Sequence, residues 1–164
     1  TVTKPAGAIF LDDLYREVAH AAARQPAASE SQAQPLAAVV MTTHNVAGYI
    51  EDAVTSLLRQ TYQPLEIVVV DDCSTDSTWK ILQRLRRESP LVIRRLNANL
   101  GTYFANNVGV RLARGEFVFF QDGDDLCHSE RVRLCLRELQ QPGVVCVQSS
   151  YSRVVFPTPG KCCR

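Results

Sequence analysis

The sequence predicts an α/β domain built on a mostly parallel sheet with helices on both faces. Between Leu36 and Ser150, short apolar runs alternate with longer segments whose apolar residues recur at helical spacing. The apolar runs contain few polar residues, which is typical of strands buried on both faces of a parallel sheet. With 164 residues, of which 46% are apolar, the chain is long enough to bury one such core.

Five segments have the length and composition of buried strands. Each is a short apolar run, and the first, second and fourth run directly into polar or acidic residues. In chain order the predicted strands are LAAVVMTT, LEIVVVDD, LVIRRL, EFVFFQD and VVCVQSS.

The segments between these strands are predicted to be helices, because their apolar residues recur every three or four positions and would place one side of each helix on the sheet. The third helix, TYFANNVGVRLARG, is expected to pack Tyr103 and Phe104 inward and to end at Gly115. In the other helices the expected inward residues are Ile50, Ala53, Val54, Leu57 and Leu58, then Trp79, Leu82 and Leu85, and finally Val132, Cys135, Leu136 and Leu139.

The two ends of the chain do not follow this alternation. Residues 1–35 are expected to form an N-terminal helix and linker, because an amphipathic stretch is followed by the proline-bracketed segment PAASESQAQP. Residues 151–164 are expected to form an irregular tail, since Pro157 and Pro159 are incompatible with a central strand. The predicted α/β domain therefore covers residues 36–150.

Composition argues against several classes of protein. The net charge of +1 provides no overall field that would attract nucleic acid. The basic residues between Lys80 and Arg114 are interpreted as solvated helix faces and strand ends, with a local basic patch as the alternative. We expect no membrane-spanning segment and no signal peptide. The six cysteines include no C-x-x-C pair, so we expect reduced thiols in a cytoplasmic protein.

Polar side chains gather at the ends of the first four predicted strands. In parallel α/β sheets, ligands bind outside the carboxyl ends of the strands, so successive polar strand ends indicate one binding site. These residues are Thr42, Thr43, His44 and Asn45 after the first strand, Asp71 and Asp72 after the second, Asn97, Asn99 and Gly101 after the third, and Asp122, Asp124 and Asp125 after the fourth.

The fourth strand ends in an unusual concentration of negative charge. Asp122, Asp124 and Asp125 follow FVFFQ directly, and like charges this close raise the cost of ionising one another. A divalent cation would compensate this charge, because Mg²⁺ and Mn²⁺ prefer carboxylate oxygens and commonly share their coordination with substrate phosphates. The alternative is an acidic turn in which Asp124 or Asp125 favours the start of the next helix.

Together these motifs resemble the family-2 glycosyltransferases, which are inverting enzymes of the Rossmann-like GT-A fold that use nucleotide sugars. AAVVMTTHN is similar to the first strand and loop of that family, and LEIVVVDDCSTDST is similar to its second strand and acidic pair. NANLGTYFANNVGVRLARGEFVFFQDGDD is similar to its asparagine–glycine loop, the following helix and the D-x-D strand end. The resemblance extends from Leu36 to about Ser150, and the motifs are specific in this order.

The resemblance implies a role for each strand end. Asp72 would accept hydrogen bonds from the base with Asp71 behind it, and Asp124 would bind the ribose or the metal. The implied nucleotide-binding residues are Thr42, Thr43, Asn45, Asp71, Asp72, Asn99, Gly101 and Asp124, and the implied ligands of Mg²⁺ or Mn²⁺ are Asp122, Asp124 and Asp125.

The resemblance also implies a reaction. A sugar would be transferred from a nucleotide-diphospho-sugar, most commonly a UDP-sugar, to a glycan or lipid-linked acceptor in surface polysaccharide synthesis. The family's general base is an Asp or Glu well after the D-x-D motif, whereas here the only later carboxylates are Glu130 and Glu138. The chain is therefore expected to be a truncated domain that contains the donor half and lacks the acceptor half, and the catalytic base is left unassigned.

The implied partners are a nucleotide-sugar donor and a glycan acceptor, without nucleic acid. The protein is expected in the cytoplasm, and a homodimer and peripheral association with the inner face of the membrane stay open. Two other functions also stay open. The chain could bind nucleotide sugars without catalysis, or it could be a receiver-type signalling domain in which Asp122 accepts a phosphoryl group, with Ser149 and Lys161 as partners.

Overall fold

The structure confirms the predicted α/β architecture. It is a computed structural model that describes residues 34–149, so the predicted N-terminal helix and the predicted tail lie outside the described residues. In chain order the elements are β1 (Ala37–Thr43), α1 (Ile50–Leu58), β2 (Leu65–Asp71), α2 (Thr78–Glu88), β3 (Leu91–Arg95), α3 (Thr102–Leu112), β4 (Phe117–Asp122) and α4 (Arg131–Leu139).

The strands form one sheet in the order β3-β2-β1-β4, and every neighbouring pair is parallel. β1 is therefore a central strand, in which Val40 is paired with Val68 of β2 on one side and with Phe120 of β4 on the other. Because all the strands run the same way, their carboxyl ends meet at one edge of the sheet.

Both faces of this sheet are apolar, since successive residues of a strand point to opposite faces. On one face, Val39 and Met41 of β1 belong to a core that also contains buried residues of α1, α2 and α4. On the other face, Val40, Val68 and Val70 pack with Ala105 of α3. The prediction of helices on both faces is therefore confirmed.

The helical spacing identified most of the inward side chains. Trp79 and Leu139 are partly buried and pack against the main core. Leu58 is 37% exposed, because one step beyond Leu57 rotates the side chain by about 100° around the helix. The fully confirmed positions are Ile50, Ala53, Val54, Leu57, Leu82, Leu85, Val132, Cys135 and Leu136.

The aromatic residues of α3 do not pack inward, contrary to expectation. Tyr103 is 89% exposed and Phe104 is 46% exposed. The helix instead approaches the sheet through Ala105 and Gly109, which lie one turn apart on the same side. A Cβ atom on Gly109 would be 2.3 Å from Val40 Cγ1, so only a residue without a side chain allows this contact.

Gly115 does not end α3, which ends at Leu112. Gly115 lies just before β4, where an added Cβ atom would be 2.6 Å from the Ala38 nitrogen and 2.9 Å from the Ala37 carbonyl carbon. The glycine is therefore required by the close approach of two backbone segments.

The predicted fifth strand is wrong for residues 144–149, which form no strand. The backbone nitrogen of Val144 closes a turn onto the Gln141 carbonyl, at 3.1 Å. Val147 packs against the main core, whereas Val145 is 80% exposed. The composition of this segment favours a strand, but a strand also needs a hydrogen-bonded neighbour, and these residues have none among the described strands.

The expectations about membrane spans and cysteines can be compared with the structure only for the described residues. Within residues 34–149, no helix combines the length and the apolar character needed to cross a bilayer. The cysteines of this part of the chain, Cys73, Cys127, Cys135 and Cys146, are all free thiols.

Candidate functional site

The carboxyl ends of β1, β2 and β4 enclose a cleft of about 240 Å³. This is the position at which the parallel topology places ligands. Five of the predicted site residues line this cleft, namely Thr42, Thr43, Asp72, Asp122 and Asp124. The other lining residues are His44, Val46, Thr102 and Gly123.

The floor of the cleft is formed where β1 and β4 end side by side. Thr42 is in register with Asp122, and the Gly123 nitrogen donates a hydrogen bond to the Thr42 carbonyl oxygen at 2.9 Å. A Cβ atom on Gly123 would lie 2.6 Å from Thr43 Cγ2 and 3.1 Å from the Thr42 carbonyl oxygen. The glycine between the acids is therefore needed for close packing against β1.

Replacing Gly123 by alanine is expected to lower the free energy of unfolding by about 1–3 kcal/mol, because the new methyl group must push back a backbone oxygen as well as a side chain. Urea unfolding of the variant measures this change. Gly48→Ala is the matched control, since nothing lies within 4 Å of the position that its new methyl group would occupy. Equal losses of stability in the two variants would contradict this account.

Asp72 fixes the loop that follows β3. Its carboxylate accepts hydrogen bonds from the backbone nitrogens of Leu100 and Gly101, both at 2.8 Å. Gly101 has a φ of 87°, a conformation that side chains disfavour, so glycine suits this position. Asp72 thus lines the cleft and also holds Gly101 beside it, although Gly101 itself is not part of the lining.

Asp71 lies beneath the cleft and is fully buried. Its carboxylate accepts hydrogen bonds from Thr43 Oγ1 at 3.3 Å and from both the backbone nitrogen and the hydroxyl of Ser74. Arg95 Nε lies 3.3 Å from the same carboxylate. Asp71 therefore connects the ends of β1, β2 and β3.

His44 joins three of the strand-end loops. Its Nδ1 lies 2.8 Å from the Asp72 carbonyl oxygen, and its Nε2 lies 3.1 Å from the side-chain nitrogens of Asn45 and Asn99. A carbonyl oxygen can only accept, so Nδ1 carries the proton and Nε2 accepts from the two amides. The two predicted asparagines are thus brought together at the rim by a histidine.

Asn45 also organises the loop before α2. It has a φ of 54°, which asparagine tolerates better than most residues. Its Oδ1 accepts a hydrogen bond from the backbone nitrogen of Thr75 at 2.7 Å. The Asp76 carboxylate, in turn, accepts hydrogen bonds from the backbone nitrogens of Ala47 and Thr78, at 3.0 and 2.9 Å. These bonds hold the ends of β1 and β2 in a fixed relation.

The acidic loop after β4 has no cationic partner among the described residues. Arg131 lies nearby, but its guanidinium donates to Gln121 Oε1 and to the Phe120 carbonyl oxygen, both at 2.8 Å. Burial, followed by the nearby charges of Asp125 and Asp124, raises the pKa of Asp122. The protein therefore concentrates negative charge at the cleft without neutralising it within residues 34–149.

These carboxylates fit a divalent cation that is shared with a ligand. Within residues 34–149, no group of three or more His, Cys, Asp or Glu side chains converges on one point as a metal cage. Asp122 and Asp124 nevertheless line the cleft, and carboxylate oxygens are the donors that Mg²⁺ and Mn²⁺ prefer. Such ions are commonly held by one or two carboxylates together with the phosphates of a substrate.

A buried glutamine, which the sequence analysis did not identify, fastens the acidic loop to α1. Gln60 Nε2 donates a hydrogen bond to the His128 carbonyl oxygen at 2.7 Å, and Gln60 Oε1 accepts one from the backbone nitrogen of Val132 at 3.1 Å. Ser56 Oγ accepts a hydrogen bond from the backbone nitrogen of Cys127 at 2.9 Å. An isolated polar residue at the end of an apolar helix carries no periodic signal that could have revealed this role.

Five of the predicted site residues line the cleft, and each of the other five forms a hydrogen bond with a lining residue. Asn45, Asp71, Asn99, Gly101 and Asp125 lie around the cleft without lining it. A parallel α/β sheet with an acid pair after its second strand, an asparagine–glycine loop after its third and an acidic D-x-D-D loop after its fourth defines the class of GT-A glycosyltransferases.

Comparison with known proteins identifies the family within this class. The sequence matches the family described as Glycosyl transferase family 2 over residues 38–159. The chain belongs to this family. The membership leaves no support for the receiver alternative, and Ser149, its suggested partner of Asp122, instead contacts Arg131 Nε at 3.3 Å.

Two curated relatives show how much of a family member the chain covers. It is 33% identical to a chondroitin synthase of Pasteurella multocida over 73% of this chain and 12% of that protein. It is 32% identical to the putative teichuronic acid biosynthesis glycosyltransferase TuaG of Bacillus subtilis, over 73% of this chain and 48% of that protein. The chain therefore spans at most about half of these relatives.

Two solved structures share the fold. The crystal structure of Staphylococcus aureus TarS 1–349 in complex with UDP is 34% identical, with a TM-score of 0.58 over 64% of this chain and 32% of that chain. The mannosyltransferase PcManGT from Pyrobaculum calidifontis, in complex with GDP-Man and Mn²⁺, is 28% identical, with a TM-score of 0.63 over 79% of this chain and 39% of that chain.

Proposed function

We propose that the cleft binds a nucleotide-diphospho-sugar together with Mg²⁺ or Mn²⁺, as the donor site of an inverting glycosyltransferase of surface polysaccharide synthesis. The observation that carries this proposal is the uncompensated acidic loop lining a cleft at the carboxyl ends of a parallel sheet. A diphosphate is anionic, so it requires a cation between itself and these carboxylates. The ligands of the TarS and PcManGT structures support this assignment.

Two groups of lining residues have different proposed roles. Thr42, Thr43 and Asp72, at the ends of β1 and β2, would contact the nucleoside through hydroxyl and carboxylate groups. Asp122 and Asp124 would hold the cation, with Asp125 behind them. A divalent cation would supply Lewis-acid stabilisation of the diphosphate leaving group.

Beyond the acidic loop, the described residues up to 149 offer no unpaired carboxylate for activating an acceptor. After Asp125, Glu130 pairs with Arg133 and Glu138 pairs with Arg137. Hydrogen bonds, first from Thr61 and then from Arg133, lower the pKa of Glu130, whereas a general base works best with a pKa near the operating pH. We therefore assign the general base to a part of the protein outside residues 34–149.

This pairing favours a second candidate function for the chain when it is isolated, namely binding of the donor without transfer. Both functions require the same donor site. They differ in a single property, which is release of free nucleotide diphosphate in the presence of an acceptor. Only transfer or hydrolysis of the donor produces this release.

Isothermal titration of UDP into the chain, with and without Mn²⁺, tests the donor site. We expect saturable binding that is at least about tenfold tighter with Mn²⁺, since the cation bridges two anionic groups. GDP is titrated in parallel, because the geometry of the cleft does not distinguish the base. Absence of binding by both nucleotides in the presence of Mn²⁺ would overturn the proposal.

A further inference from the structure

A second groove, of about 300 Å³, lies between α2 and β3 and shares no lining residue with the donor cleft. It is lined by Trp79, Gln83, Arg86 and Arg87 of α2 and by Ile93 of β3. Positions 79, 83 and 86 or 87 recur at helical spacing, so they lie along one side of α2. The proposed donor chemistry does not use any of these residues.

The floor of this groove is apolar and partly buried. Trp79 and Ile93 both pack against the main core while also lining the groove. The guanidinium of Arg95 lies over the Trp79 ring, 5.7 Å from its centroid, and Arg95 also donates to the Ser74 carbonyl oxygen at 2.6 Å. Arg95, which also contacts Asp71, therefore holds the ring in place, and the ring contributes apolar surface to the groove.

The rim of the groove carries positive charge that is not neutralised by the described residues. Among residues 34–149, no acidic side chain lines the groove, and neither Arg86 nor Arg87 forms an ion pair. The nearby acids Glu51 and Glu88 are paired with Arg84 instead. Both guanidinium groups can therefore bind an anion, and their geometry best matches a carboxylate or a phosphate.

We propose that this groove binds an acidic saccharide, that is, a sugar bearing a carboxylate or a phosphate. The sugar ring would lie on Trp79 and Ile93, Gln83 would hydrogen-bond its hydroxyl groups, and Arg86 and Arg87 would bind its anionic group. An apolar floor beside a few polar groups is typical of small-molecule recognition. A membrane-binding surface commonly carries a cluster of about four to eight basic residues, whereas only two arginines of the described residues line this groove. The inference goes beyond the donor site and does not depend on it.

The only tryptophan of the chain is Trp79, so intrinsic fluorescence reports directly on this groove. We expect tetragalacturonate, added to the 164-residue chain at low ionic strength, to produce a saturable change in Trp79 emission. The neutral maltotetraose should produce none at the same concentrations. Glucose 6-phosphate, titrated separately, determines whether a phosphate serves as well as a carboxylate.

Matched double variants locate the binding. Arg86→Gln/Arg87→Gln is expected to weaken tetragalacturonate at least about tenfold, because two charge-assisted contacts are lost. The control, Arg94→Gln/Arg111→Gln, removes the same charge elsewhere. Arg94 follows Ile93 in β3, so its side chain points to the opposite face of the sheet, and Arg111 lies on α3. This control should therefore bind tetragalacturonate within about twofold of the unmodified chain.

Several outcomes would overturn the proposal. The first is that tetragalacturonate changes neither the Trp79 emission nor the heat measured on titration. The second is that both double variants weaken its binding equally, or that maltotetraose binds as well as it does. The third is that the chain binds phosphatidylglycerol vesicles but not tetragalacturonate. UDP titrations of Arg86→Gln/Arg87→Gln keep the two sites distinct. If this variant binds UDP normally but no longer binds tetragalacturonate, the groove is a separate site. If the unmodified chain binds tetragalacturonate but no nucleotide, only the proposed donor site is overturned.

Discussion

Replacing Asp124 by asparagine is expected to weaken UDP in the presence of Mn²⁺ by about 10–100-fold. Asparagine keeps the shape of the side chain, but it removes one of the two charges that line the cleft beside the proposed cation. Without Mn²⁺, the same substitution should not weaken UDP binding, because it removes a negative charge that repels the diphosphate. The variant should therefore lose most of the difference between titrations with and without the metal.

Asp52→Asn is the matched control for this experiment. Asp52 is an exposed acid of α1, so its replacement changes the net charge equally at a distance from the cleft. We expect the control to bind UDP and Mn²⁺ like the unmodified chain. If Asp124→Asn kept the full enhancement by Mn²⁺, the proposed metal role of the acidic loop would be wrong.

Replacing Asp71 by asparagine is expected to have the largest effect on stability, a loss of about 2–4 kcal/mol in the free energy of unfolding. The buried carboxylate accepts from Thr43 and Ser74 and faces Arg95. The amide nitrogen of asparagine cannot accept hydrogen bonds from these donors, so the substitution leaves buried donor groups without an acceptor. Because Arg95 is partly exposed, water compensates some of its lost contact, which keeps the expected loss below that for a fully buried pair.

Urea unfolding, monitored by circular dichroism, measures the effect of Asp71→Asn. Glu66→Gln is an instructive comparison, since Glu66 is also buried but has a highly exposed partner, Arg114. We expect the Glu66 variant to lose less stability, because water can replace more of that interaction. A smaller loss for Asp71→Asn than for Glu66→Gln would show that Asp71 does not brace the strand ends.

The parts of the site that could be predicted are those that follow from sheet topology. Asp72, Asp122 and Asp124 come directly after apolar runs, and a parallel sheet places the ends of such runs together. The prediction needed only the order and the type of the elements. The proximity of these side chains therefore followed without any knowledge of individual contacts, whereas their roles in binding stay predictions.

The contacts that hold the site could not be predicted in the same way. His44, Gln60 and Arg95 each join segments that are far apart in the sequence, and none belongs to a periodic pattern. The missing fifth strand and the exposed Tyr103 have a similar origin, since local composition favoured one state and the available packing partners determined another. Resemblance to a family supplied the roles of the residues, but not these supporting contacts.

The position of β1 in the sheet has a consequence for how the protein assembles. Thr42 pairs with Val70 on one side, but on the other it pairs with Asp122, which is much further along the chain. The entropy lost in closing a loop increases with its length, so contacts between β1 and β4 form against the larger cost. During synthesis on the ribosome, β1, β2 and β3 can associate early, whereas the acidic part of the cleft cannot form until β4 has emerged.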